Sequence, residues 1–163
     1  MESARVLLLY LLCGKIAAGK WTLARHLALR PATPLIREDH WTSNLFADEL
    51  RTIDDYGRFS ARLRAAMGPH IVDILRQGLS VVLDFPANTV SNRTWMRSLI
   101  TQANVTSSFI YLMSRYDLQA EAARAKSGRP APAPSNRSGI RSVHELFVPP
   151  GPAEGFNAVV HRP

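Results

Sequence analysis

One cysteine and three lysines are all that this 163-residue chain holds of either type. A single thiol, Cys13, excludes an internal disulfide, and nothing in the sequence argues for an oxidising compartment, so a cytoplasmic setting is expected. Lys15, Lys20 and Lys126 being the only lysines, the formal charge of +7 and the pI near 10.3 rest mainly on arginine. Those arginines are spread along the chain without a dense run or interleaved aromatics, so a nucleic-acid partner is not expected from charge alone. Apolar runs fall far short of the roughly 18 residues of a membrane span, and no membrane partner is expected. Arg5 and the apolar residues after it faintly suggest a secretory signal, yet no small-residue cleavage site follows. His40, His70, His144 and His161 lack metal-ligand spacing, and neither a Ser/His/Asp nor a Cys/His arrangement is legible. Internal repeats are also missing.

What remains is an ordinary globular composition, 46% hydrophobic and 20% charged, in a length that suits one domain over 1–163. Against that background one motif stands out. Gly14, Lys15, Ile16, Ala17, Ala18, Gly19 and Lys20 match the glycine-rich phosphate loop, which then requires serine or threonine. Trp21 stands in that last place, followed by Thr22.

The context suits the motif. Val6 to Cys13 is an unbroken apolar run, short enough for a strand buried on both faces. Leu23, Ala24, Leu27 and Ala28 then recur at helical spacing, and Pro31 and Pro34 stop the helix. In a strand–loop–helix unit the loop amides and the positive end of the helix dipole face a bound phosphate, and Lys20 reaches its β and γ groups. Trp21 breaks this scheme at the metal. The missing hydroxyl would ligate Mg²⁺ bridging those phosphates, and indole offers no oxygen. Thr22 does not substitute, because adjacent helical positions lie about 100° apart. Three readings stay open: a nucleotide binder with impaired catalysis, an enzyme holding Mg²⁺ through other carboxylates and water, or a loop no longer used.

Further along, 35–39 reads as a second strand and 43–51 as a helix. A long amphipathic helix begins near Asp54 and ends at Gly78, its stripe formed by Ile53, Tyr56, Phe59, Leu63, Met67, Ile71 and Leu75. Strands are expected at 80–84, 108–112 and 156–160, and helices at 91–102, 117–126 and 140–147. A proline-rich loop fills 128–136. Alternation of this kind predicts an α/β fold, a three-layer α/β/α sandwich around a mainly parallel five-stranded sheet. Ligands bind at the carboxyl ends of such strands, where Gly14–Lys20, Asp39 and Asp84 converge. Asp39 is placed to orient or deprotonate a hydroxyl, with helix capping as its alternative. Asp84 ends an apolar strand, where a charge needs a hydrogen bond or a nearby metal.

With these residues in hand, the chain resembles the small P-loop kinases of the AAA_33, zeta-toxin-like group, which includes chloramphenicol phosphotransferase and gluconate kinase. The likeness extends to about Val160, with an atypical Walker A loop. It implies ATP and Mg²⁺ as cofactors and transfer of the γ-phosphate to a hydroxyl of a small molecule. It also implies Asp39 as general base, Asp84 as a metal ligand through water, and Asn88 and Arg93 near the acceptor pocket. Arg124 fits one arginine of the group's lid, here about 124–141. A second arginine is missing from Ala120 to Ala123, and Arg129, Arg137 and Arg141 are further candidates. Trp21 and the thin lid both point towards the alternative of a nucleotide-binding pseudokinase. A nucleic-acid end kinase is the third reading, and neither the acceptor nor the oligomeric state is legible.

Overall fold

The structure is a computed structural model, and it describes residues 7–15, 17–113 and 147–162. Five strands form one sheet: β1 (Leu8–Cys13), β2 (Leu35–Arg37), β3 (Val81–Asp84), β4 (Thr106–Leu112) and β5 (Ala158–His161). Their order is β2-β3-β1-β4-β5 and every pairing is parallel. The expected strand at 35–39 ends two residues early. Helix α2 (Glu38–Leu45) takes over at once, where 43–51 was expected to be helical. The cause is local: Arg37 is extended, and the next two residues are acidic, which favours a helix first turn.

Sheet alternation divides the core. Leu9, Leu11 and Cys13 of β1, with Val81 and Leu83 of β3, face the long helix α3 (Ile53–Arg76) and helix α4 (Val90–Ala103). Tyr10, Leu12 and Val82 face the opposite way, towards Ala24 and Leu27 of helix α1 (Lys20–Leu27). Two helical layers therefore enclose the sheet, as the sequence pattern predicts. The α3 stripe buries Phe59, Leu63, Met67, Ile71 and Leu75, whereas Ile53 stays exposed and Tyr56 is half-buried. Thr52 caps α3 with a reciprocal capping box to Asp55, and Thr89 caps α4. In α4 the expected inward residues Leu99 and Ala103 are buried and Trp95 is half-buried.

The helices expected at 117–126 and 140–147 fall on or largely on residues outside the described set, as do Ile16, Arg124, Arg129, Arg137, Arg141, His144 and the lid region 124–141. No helix among the described residues is long and apolar enough to cross a membrane.

Candidate functional site

The loop between β1 and α1 is shaped by backbone constraints that its residues were chosen to meet. Gly14 has φ +149°, and a Cβ there would lie 2.5 Å from the carbonyl oxygen of Leu112, so β4 leaves no room for any side chain. Gly19 occupies the helix N-cap in the left-handed region, at φ 90°. Ala17 also has positive φ, 63°, an uncommon state for a residue with a Cβ.

Helix α1 begins without help. Gly19 provides no side-chain cap and the first turn carries no acidic residue, whereas α2 has Glu38 and Asp39, and α3 and α4 have caps. The first amides of α1 have no intrahelical acceptor, so this end favours an anion. Lys20 lies there, its Nζ donating to the carbonyls of Gly14 and Lys15 at 2.7 Å each. Burial lowers the Lys20 pKa, opposed by the negative charge of Asp84, by Cys13 and by Asp39. Cys13 itself is inert core: burial pushes its thiol up to about 11, and Sγ donates to the Ala87 carbonyl at 3.4 Å.

Two expected carboxylates reach the same end of the sheet. Asp84 closes β3, and burial raises its pKa against the opposing pull of Arg37. Asp39 is exposed in the first turn of α2, and its charge acts on Lys20, Glu38, Tyr56 and Asp84. Asn88 is half-buried, and its carbonyl accepts from the Val148 amide at 2.8 Å.

Arg93, expected near the acceptor pocket, is engaged by other parts of the chain. It is fully buried, its Nε and Nη2 donating to Glu154 at 2.5 and 3.0 Å. Its Nη1 donates to the carbonyls of Ala87 and Val148, each at 2.8 Å. Helical spacing put Arg93 one turn from the inward-facing α4 residues, so a chain segment from beyond β4 had to supply its partner. That partner, Glu154, carries no signal in the sequence.

Two further residues were missed. Glu38 is fully buried and bonded to Ser60, with Tyr56 Oη at 3.4 Å and Arg64 at 3.5 Å. Burial raises its pKa despite the Ser60 hydrogen bond and Arg64. Arg37, opposite Asp84 in the β2–β3 register, brings its Nε to 3.7 Å from the Asp84 carboxylate. Its guanidinium also lies 4.0 Å from the centroid of the Trp21 ring. Strand alternation would have shown this only once the register was known.

The residues present fit a polyphosphate: the glycines of the loop, the uncapped helix start and Lys20. They do not fit Mg²⁺ in the place a P-loop kinase holds it. The hydroxyl position carries an indole whose face is covered by Arg37, and Asp84 is already paired with that cation. Among the described residues, no cluster of three or more His, Cys, Asp or Glu side chains could hold a metal ion.

Comparison with known proteins agrees with this architecture. The chain superposes on a crystal structure from Chloroflexus aurantiacus described as a candidate kinase. The TM-score is 0.66 at 21% identity, with 97% of this chain and 89% of the other covered. A gluconokinase from Sinorhizobium meliloti 1021 gives 0.53 at 19% identity, covering 97% and 83%. The Mycobacterium tuberculosis APS kinase, solved with AMPPNP and APS, gives 0.53 at 14% identity, covering 77% and 76%. At such identities the likeness is one of fold. No curated protein sequence matches the chain. The profile of the AAA domain family AAA_33 matches residues 9–150, and the chain therefore belongs to that family.

Proposed function

We propose that the protein is an ATP-binding phosphotransferase that moves the γ-phosphate of ATP to a hydroxyl group of a small molecule. The observation that carries this reading is the setting of Lys20: its ammonium spans two loop carbonyls beside an uncapped helix start, with Asp84 and Asp39 acting on it electrostatically. Lys20 and the loop amides bind the β and γ phosphates. Asp39 takes the proton of the acceptor hydroxyl as its oxygen bonds to the γ-phosphorus and the bond to ADP breaks. Asp84 holds the local positive charge in position. Arg124 would neutralise charge on the transferred group.

A second reading, a pseudokinase that holds nucleotide without transferring phosphate, is favoured by Trp21. Calorimetric titration of ATP tests what both readings share. Replacing Lys20 by alanine removes a charge-assisted contact to phosphate, so affinity should fall by roughly 10- to 100-fold in Lys20→Ala. Equal affinity in the variant would refute the loop as the phosphate site. ADP formation with a panel of hydroxyl compounds then separates the two readings.

A further inference from the structure

Trp21 looks like damage to a motif until its surroundings are taken together. In a parallel sheet, residues paired across neighbouring strands point to the same face. Arg37 pairs with Asp84, and Val82, two residues before Asp84, belongs to the cluster packed under α1. Arg37 and Asp84 therefore rise on the α1 side, where the first turn of that helix carries Trp21. The indole receives the Arg37 guanidinium at 4.0 Å from its centroid, and Arg25, one turn along α1, at 5.5 Å.

A metal-dependent loop has a hydroxyl at this position and a carboxylate nearby, and between them a cation that bridges the β and γ phosphates. Here an indole replaces the hydroxyl, the carboxylate is Asp84, and a guanidinium lies against both. We infer that Arg37 is the resident cation of the phosphate site, taking the place of Mg²⁺, so that the nucleotide binds without metal. The inference rests on the reading of the loop as a nucleoside triphosphate site, and it names the form that site takes: the metal-free tetra-anion.

The chemistry of the parts supports the substitution. A guanidinium is charged at every working pH and has five N–H donors in a planar fork that matches phosphate oxygens. Among the described residues the buried Nε of Arg37 has no hydrogen-bond partner, with Asp84 at 3.7 Å, and 35% of the side chain is open to solvent. The group is thus held in place while retaining donor capacity for a ligand. Trp21 gains a role by the same geometry. A serine would offer oxygen to a metal, whereas a flat indole offers a face on which a planar cation stacks. Asp84 attracts both cations, Arg37 at 3.7 Å and Lys20 through its charge.

The test is calorimetric titration of ATP into the full chain, in EDTA and in excess Mg²⁺, with melting curves recorded for each variant. The two wild-type affinities should agree within about threefold. Arg37→Gln should weaken binding in EDTA by roughly 10- to 100-fold while the protein stays folded, and Arg37→Lys should recover only part of the loss. Trp21→Ser should weaken binding in EDTA and create a Mg²⁺ enhancement that the wild type lacks. Tightening of the wild type by Mg²⁺ tenfold or more would overturn the inference and leave the nucleotide reading intact, as would an unchanged EDTA affinity in Arg37→Gln. No ATP binding by the wild type under either condition would overturn the nucleotide reading itself, and this inference with it.

Discussion

Arg93→Ala should destabilise the fold by about 3–5 kcal/mol, the usual effect of removing one partner from a buried ion pair. The side chain has no exposure to water, and its guanidinium makes four hydrogen bonds. Without it the Glu154 carboxylate, its side chain only 16% exposed, and the carbonyls of Ala87 and Val148 lose the guanidinium's donors together. The loss extends beyond one contact. Arg93 joins α4 to the segment that precedes β5, where Arg97 also bonds the Gly155 carbonyl and Phe156 stacks on Phe109 at 4.5 Å. Arg93→Lys should rescue little, because an ammonium cannot reproduce a fork spread over a carboxylate and two carbonyls. Urea denaturation followed by circular dichroism measures the change. A loss below about 1 kcal/mol, the scale of an exposed pair, would show that the clamp is not structural.

Asp39→Asn should leave ATP affinity within about threefold of wild type and lower phosphoryl transfer by roughly 10²–10⁴-fold, the range for removing a general base. Asparagine keeps the size and a hydrogen-bond acceptor but cannot take the acceptor's proton. The split between binding and turnover is what identifies the role. An Asp39 serving only to start α2 would lose a first-turn charge in Asp39→Asn, lowering stability slightly and leaving transfer alone. ADP release with the best acceptor from a hydroxyl panel, alongside calorimetry, reads both quantities. Unchanged transfer in Asp39→Asn would remove Asp39 from the chemistry.

The layered fold was legible because its signals are local. The run before Gly14, the spacing of Leu63, Met67, Ile71 and Leu75, and the Val81–Leu83 strand each report their own burial. Element ends were less so: Glu38 and Asp39 read as the end of a strand, although two acids after an extended Arg37 also start a helix. The loop, Asp84 at the end of β3 and Asp39 just beyond β2 were visible for the same local reason. Arg37, Glu38 and Arg93 were not, because each depends on a partner that only tertiary structure supplies. Arg37 needs the register that sets it opposite Asp84, Glu38 needs Ser60 and Arg64 from α3, and Arg93 needs Glu154, 61 residues away. Arginine is usually a surface residue, so a buried one leaves no mark in a hydrophobic pattern. Trp21 was visible as an anomaly, but its meaning required the cation stacked on it.

The most direct measurement of the central claim is a crystal structure of the chain with a non-hydrolysable ATP analogue. The phosphates should lie in the loop before α1, with Lys20 Nζ moved off the Gly14 and Lys15 carbonyls to within about 3 Å of β- and γ-phosphate oxygens. A structure with the analogue bound elsewhere, and Lys20 still held at 2.7 Å by those two carbonyls, would contradict the assignment of this loop.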